Sequence, residues 1–268
     1  MKHQRIASAL ALPALLGLSM SAQANTSLDL ADVVGGGDGT GTGSIQAINI
    51  TNGSVTTTHA GQLSTAANSP LAVPTLPFVD RVFTPDGGVG GLAAIPVSST
   101  GVTVTGISDA TSPTYDHIWA NDNPLSVTTT LSFSSFIGVH ANKGITFDLD
   151  AIEAANPGMQ ATQFDMLAAI GTGSGSSSNG DVDFYIVLDG VIKDSVNLVN
   201  LNDDQSSPLT TAIDANDRFL TLIASSNGGF FNDWSYFADP TLTLEVPEPS
   251  SLALLGLGGL ALVRRRSR

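Results

Sequence analysis

Between residues 181 and 188 the chain alternates with a period of two. Val182, Phe184, Ile186 and Leu188 fall on one face, and Asp183, Tyr185 and Val187 on the other, which is the pattern of a β-strand. Asp189-Gly190 then supplies a tight hairpin turn into a second strand from Val191 to Val196. Similar short runs predict strands at Ser44–Ile50, Gly144–Leu149, Thr162–Ile170, Arg218–Ala224 and Thr241–Val246. Val102–Thr105 and Val127–Leu131 add β-branched stretches of strand composition. One short helix is expected, Asp150 to Asn156, stopped by Pro157-Gly158. Regular short strands separated by turn signals predict an all-β fold, an antiparallel β-sandwich.

Two glycine-rich patches interrupt this pattern. Gly35–Gly41 has neither the repeated nonapeptide of a calcium β-roll nor the spacing of a nucleotide-binding loop. Gly171–Gly180 lies between two predicted strands and reads as a loop. Neither patch divides the chain, so one domain is expected over residues 25–245.

The two ends have a different character. Basic Met1–Arg5 is followed by an apolar run from Ile6 to Met20 and then Ser21-Ala22-Gln23-Ala24. That order is a secretory signal peptide, residues 1–24, with Ala22 and Ala24 as the small residues before a cut at Asn25. At the other end stand Val246-Pro247-Glu248-Pro249, an apolar stretch from Ser250 to Val263, and Arg264-Arg265-Arg266. Residues 250–263 would make a transmembrane helix about 21 Å long at ~1.5 Å per residue. That is short against a hydrocarbon core of ~30 Å. The arginines of the basic end, 264–268, should stay cytoplasmic and place the body across the membrane.

Charge sharpens the picture. All 24 acidic residues lie between Asp29 and Glu248, where only Arg81, Lys143, Lys193 and Arg218 oppose them. Such a body lacks the basic footprint that nucleic acid requires, so nucleic acid is excluded as a partner. Cysteine is absent, which removes disulfides and thiolate metal sites; a chain of this size can bury a core without them.

Candidate chemistry is sparse. The body holds three histidines, His59, His117 and His140, and no Gly-x-Ser-x-Gly elbow. Asp116 and His117 are neighbours, which on a strand would send their side chains to opposite faces. No catalytic residue is assigned, and the chain is expected not to be an enzyme. The pairs Asp148/Asp150, Asp181/Asp183 and Asp203/Asp204 offer hard oxygen ligands. A structural Ca²⁺ is therefore open, beside the alternative of solvated surface charge. No other metal or cofactor is implied. Sugar recognition needs a ring for pyranose C–H faces beside polar partners for hydroxyls. Two segments supply both, Tyr115–Asp122 around Trp119 and Phe230–Phe237 around Asp233, Trp234 and Tyr236. Packing at a sheet end would use the same residues.

The C-terminal order of Pro-Glu-Pro, short apolar helix and arginine cluster resembles the PEP-CTERM sorting signal, over residues 246–268. The resemblance implies exosortase as a processing partner after signal peptidase. It also implies a transient inner-membrane anchor and a mature form at the surface of, or outside, a Gram-negative bacterium. The body has its own resemblance. His140–Leu149, Gly180–Gly190, Arg218–Leu222, Asp233-Trp234 and Asp239-Pro240 occur in the order found in NPCBM-type carbohydrate-binding modules. This module-like part covers about residues 78–245, and residues 28–76 have no counterpart in it. It implies a galactose-binding-like jelly roll and a polysaccharide ligand. A structural surface or biofilm protein with no specific sugar is the alternative.

Overall fold

In the computed structural model the described residues are 25–57, 63–64, 68–86, 89–108, 114–121, 130–171, 180–199, 203–227 and 232–247. The first strands are β1 (Asn25–Asp29), β2 (Gln46–Asn49), β3 (Val55–Thr56), β4 (Leu63–Ser64), β5 (Asn68–Leu71) and β6 (Val79–Thr84). There follow β7 (Ile95–Pro96), β8 (Thr103–Val104), β9 (Thr114–Tyr115), β10 (His117–Ala120), β11 (Phe136–His140) and β12 (Lys143–Asp148). The last are β13 (Gln160–Ile170), β14 (Asp181–Leu188), β15 (Val191–Val199), β16 (Gln205–Ala212), β17 (Phe219–Ser226) and β18 (Trp234–Glu245). The α-helices are α1 (Leu30–Val34) and α2 (Leu149–Ala155).

Two antiparallel sheets form the sandwich. The larger runs β16-β13-β18-β11-β10-β2-β3, and the smaller β15-β14-β17-β12-β6-β5. From β11 onward the chain repeatedly changes sheets, as in a jelly roll, and the alternating faces follow from that. Ile137, Val139, Phe164, Phe237 and Leu242 point inward from the larger sheet; Ile145, Phe147, Val182, Phe184, Ile186 and Leu222 answer from the smaller. Phe184 meets Phe237 edge to face, with centroids 5.8 Å apart, a favoured geometry for paired rings. Along one margin the sheets are joined by Thr210 N–H donating to Asp194 Oδ2 at 3.0 Å.

The second face of the smaller sheet is buried too. Phe83, Tyr185, Val187 and Ile223 pack under Ile95, Val97, Val104 and Ile107. Thr146 Oγ1 donates to the Val97 carbonyl at 2.6 Å and fastens this cover. Both faces of β14 are therefore largely apolar, which explains Tyr185 and Val187 on its non-core side.

Apart from the stretch Val127–Leu131, the expected strands and helix are present with shifted ends. The helix starts at Leu149, capped by Asp148, whose Oδ1 accepts from Ala151 N–H at 3.2 Å. Val102–Thr105 contracts to Thr103–Val104. Residues 127–129 and 172–179 lie outside the described residues, and Thr130–Leu131 carries no strand. The last strand begins earlier than expected, at Trp234 rather than Thr241.

The N-terminal part contributes more than its composition suggests. β1 pairs with the C-terminal half of β18, and β2, β3 and β5 extend the two sheets. Helix α1, absent from the sequence reading, is buried along its whole length. Its Asp32 carboxylate accepts from Gly39 N–H at 2.7 Å and Gly43 N–H at 2.5 Å. A Cβ on Gly37 would lie 2.2 Å from Asp32 Oδ2, so the glycine-rich patch is a loop folded tightly around a buried carboxylate.

Candidate functional site

The outward face of the larger sheet carries the aromatic residues. On β10, Ile118 and Ala120 enter the core, which sends His117 and Trp119 to the other side. Trp119 lies between Ala47 on β2 and Gly138 on β11 in the cross-strand register. Two small neighbours leave a slot wide enough for the indole. On the next strand Trp234 stands opposite His140.

These positions bring both tryptophans into one cluster. Tyr115 stacks on Trp234 with centroids 5.2 Å apart and planes 26° from parallel. His140 meets the same indole edge-on at 4.8 Å, and Trp119 lies 6.3 Å from it. Trp119 is 1% exposed and Trp234 8%; Tyr115 is half-buried.

Lys143 completes the floor. Its Nζ donates to the His140 carbonyl at 2.9 Å and lies 5.9 Å from the centre of a Trp119 ring. The side chain is fully buried. Desolvation holds its ammonium well below the usual lysine range, opposed by the charge of Asp116.

Asp116 corrects one expectation. It sits in a bend just before β10 rather than within a strand, so alternation does not apply to it. Its Oδ1 lies 2.5 Å from His117 Nδ1, and its Oδ2 accepts from Asn49 Nδ2 at 3.2 Å.

The other two expected sugar-contacting residues lie apart from the Trp119–Trp234 cluster. Tyr236, 2% exposed, packs against Phe136 at 5.3 Å and Phe133 at 6.1 Å. Burial pushes its phenol above the usual tyrosine range. Asp233 is fully buried and turns toward the neighbouring corner, where its Oδ1 accepts from Asp181 N–H at 3.1 Å. Its carbonyl accepts from Ala141 N–H at 2.9 Å. Burial raises its carboxyl to about 7, against the lowering bonds from Ser226 and Asp181. Asn142, at φ 73°, turns the chain between sheets there, and its Oδ1 accepts from Ser226 N–H at 2.8 Å.

His140 and Lys143 were not singled out from sequence as site residues. Both fall in the module-like His140–Leu149 segment, which was the available signal. His59, Asp122, Phe230 and Phe231 lie outside the described residues.

At least one carboxylate of each pair has a protein partner. Arg218 reaches Asp150 at 3.2 Å and Asp148 at 3.5 Å. Asp181 and Asp183 both accept from Asn197 Nδ2, at 2.6 and 2.8 Å. Asp204 accepts from Thr130 N–H. Among the described residues no group of three or more His, Asp or Glu is placed to hold a metal ion.

Of the terminal signals, Asn25 opens β1, while Val246 and Pro247 follow β18. Ala22, Ala24, Glu248, Pro249, the apolar stretch 250–263 and Arg264, Arg265 and Arg266 lie outside the described residues. Among the described residues no helix is long and apolar enough to cross a membrane.

Residues 245–267 match the PEP-CTERM protein-sorting motif, which marks an exported surface protein processed by an exosortase. Similar solved structures include carbohydrate-binding modules. One is a family 51 module of Clostridium perfringens solved with methyl-galactose: 16% identity, 43% of this chain and 77% of that one, TM-score 0.35. A tandem pair of family 51 modules from Streptococcus pneumoniae is 20% identical over 47% of this chain and 40% of that one, TM-score 0.38. A xylan-binding family 22 module from Paenibacillus barcinonensis is 15% identical over 46% of this chain and 81% of that one, TM-score 0.27. No curated protein matches the chain.

Proposed function

We propose that this chain is a non-catalytic surface or matrix protein that binds polysaccharide at the Tyr115–Trp119–Trp234 end of its sandwich. Signal peptidase would cut after Ala24, and an exosortase would later act on the Val246–Pro249 segment. The C-terminal helix would hold the protein in the inner membrane between the two events. The single observation that carries the binding reading is the stack of half-buried Tyr115 on Trp234. Tyr115 offers a ring face to a pyranose, while Trp119, Trp234, His140 and Lys143 fix its position from beneath. Asn49 at the end of β2, Asp116 in the bend before β10 and His117 on β10 would supply polar partners for hydroxyls. The acidic body disfavours anionic polymers, so the ligand in this reading is a neutral polysaccharide.

Affinity electrophoresis of the mature protein through neutral and acidic polysaccharides tests this. Retardation by a neutral polymer, lost in Tyr115→Ala, is expected. Unchanged mobility in every polymer, with Ca²⁺ supplied, would overturn it.

A second reading is a structural surface protein without a sugar ligand. The near-complete burial of Trp119, Trp234 and Tyr236 favours it, because rings so covered stabilise the sheet whether or not a ligand exists. The same electrophoresis separates the two, since a structural protein migrates unretarded.

A further inference from the structure

Asp233 lies fully buried at a corner where the ends of several strands meet. Its Oδ1 accepts from Asp181 N–H, at the start of β14, at 3.1 Å. Its carbonyl accepts from Ala141 N–H, between β11 and β12, and from Ser235 Oγ, both at 2.9 Å. The end of β17 closes the ring. Ser226 N–H donates to Asn142 Oδ1 at 2.8 Å, and Asn227 N–H to the Asp181 carbonyl at 2.9 Å. The packing is tight, for a Cβ on Gly180 would lie 2.4 Å from the Asn232 carbonyl oxygen.

The next residue along the chain is Trp234. Its carbonyl accepts from Gly171 N–H at 2.9 Å, and its ring carries Tyr115 and His140. One peptide bond therefore joins the corner to the indole on which the half-buried tyrosine stacks.

A single proton decides how well Asp233 fits there. Its Oδ2 is buried without a hydrogen bond of normal geometry, although the Ser226 hydroxyl is near enough to favour the charged form. A neutral carboxyl can rest in such a place. A carboxylate gives up its hydration with little to replace it, and the charge of Asp181 opposes it further. The other titratable groups on the elements packed here are Asp183 on β14, His140 and Lys143 at the facing ends of β11 and β12, and Tyr236 on β18; β17 has none. Residues 172–179 and 228–231, next to the corner in sequence, include none either.

We propose that Asp233 is a positioning residue whose proton keeps Trp234 in place, so that sugar is held at the Tyr115–Trp234 end in acid and released in mild alkali. Proton loss leaves a poorly compensated charge in the corner, and water reaches it only when the bonds to Asp181 and Ala141 loosen. The indole then loses its fixed seat under Tyr115. Sugar release rests on the glycan reading above; the movement of Trp234 does not.

The chain has two tryptophans, Trp119 and Trp234, and both lie in this cluster, so their fluorescence reports on it alone. Acrylamide quenching of the full-length protein is followed from pH 5 to pH 8. It should rise several-fold through neutrality as the loosened state becomes populated. Asp233→Asn keeps an acceptor for Asp181 N–H without the charge, and its quenching should stay at the acid level throughout. Retardation by soluble galactan, xylan or glucan, measured over the same range, should fall as quenching rises, and should not fall in the variant. Quenching that is independent of pH in the parent protein overturns the proposal, whether or not Asp233→Asn folds. A profile that persists in Asp233→Asn overturns it too, by assigning the proton to another group of the cluster. Absence of retardation at every pH, with the quenching profile intact, overturns sugar release and the glycan reading together and upholds Asp233 as the residue that seats Trp234.

Discussion

Asn25 lies directly opposite Glu245 in the antiparallel register of β1 and β18. The residue that would become the N-terminus after signal cleavage thus pairs with the residue at which the sorting motif starts. If the chain is cut before Asn25, the new N-terminus and the start of the sorting motif lie side by side at one end of the sandwich, each on a strand that is already paired.

β1 leads straight into α1, whose five residues, Leu30–Val34, are all buried. Leu30 is fully buried there with Ala31 and Val34. Leu30→Ala should cost about 2–5 kcal/mol, the range for a leucine truncated in a packed core. Urea denaturation followed by tryptophan fluorescence measures it; a change in midpoint within error would show that α1 is not docked.

Asp233 makes stability depend on pH with an unusual sign for an aspartate. Its folded pKa is about 7, against an ordinary value of 3.8. The folded chain therefore retains a proton that the unfolded chain releases between those values. The contribution of this group is greatest at low pH, falls as pH rises toward 7, and is level above it. Asp233→Asn keeps an oxygen to accept from Asp181 N–H and should stabilise the protein at pH 8 by on the order of a few kcal/mol. Denaturant midpoints for both proteins at pH 5 and pH 8 decide it: their difference should widen with pH.

Lys143 works through the same linkage in the alkaline range. Its folded pKa lies well below 10.5, so the unfolded lysine holds a proton that the folded one has lost. Stability should rise with pH through that window and level off near the unfolded value. Lys143→Met keeps the packing of the stem and removes the titrating group. The rise should vanish: near pH 10 the variant should be less stable by about 1 kcal/mol from the lost bond to the His140 carbonyl, while at pH 7, where the folded wild type carries the cost of releasing the lysine proton, the variant should be the more stable of the two. Urea midpoints between pH 7 and 10 provide the comparison.

Tyr115 and Trp119 should separate binding from folding. Tyr115 is half-buried at the edge of the cluster, so Tyr115→Ala should abolish retention by polysaccharide and lower stability by about 1 kcal/mol, the scale of a lost ring pair. Trp119 fills the slot between Ala47 and Gly138, and Trp119→Ala should cost about 3–5 kcal/mol. Thermal melts run beside affinity electrophoresis tell them apart. If Tyr115→Ala binds as well as the parent, the ring does not face the ligand.

The sandwich was legible because its strands alternate. Phe184 and Ile186 faced the core as their spacing required, and Asp189-Gly190 turned the hairpin between β14 and β15. Helix α1 was not legible: five residues provide little more than one turn, and its burial depends on strands far away in sequence. The glycines at 35–43 gave no hint that Asp32 organises them, since the bonds that do so run from backbone N–H groups. At the site, Trp119 and Trp234 were found through their rarity, and the structure places them together. His140 and Lys143 acquire their contacts from strand register and from a turn at Asn142, neither of which composition encodes. Asp116 reaches His117 because a bend breaks the alternation that the sequence suggested.

The length of β18 has a mechanical consequence. A polymer held near Trp234 and a tail fixed beyond Glu245 would load one strand from its two ends. Its hydrogen bonds to β1, β11 and β13 run across the direction of pull, so tension would act on many of them together in shear rather than peel them apart in turn. With a ligand bound at its far end and its tail held, such a strand would resist being drawn out by drag on that ligand.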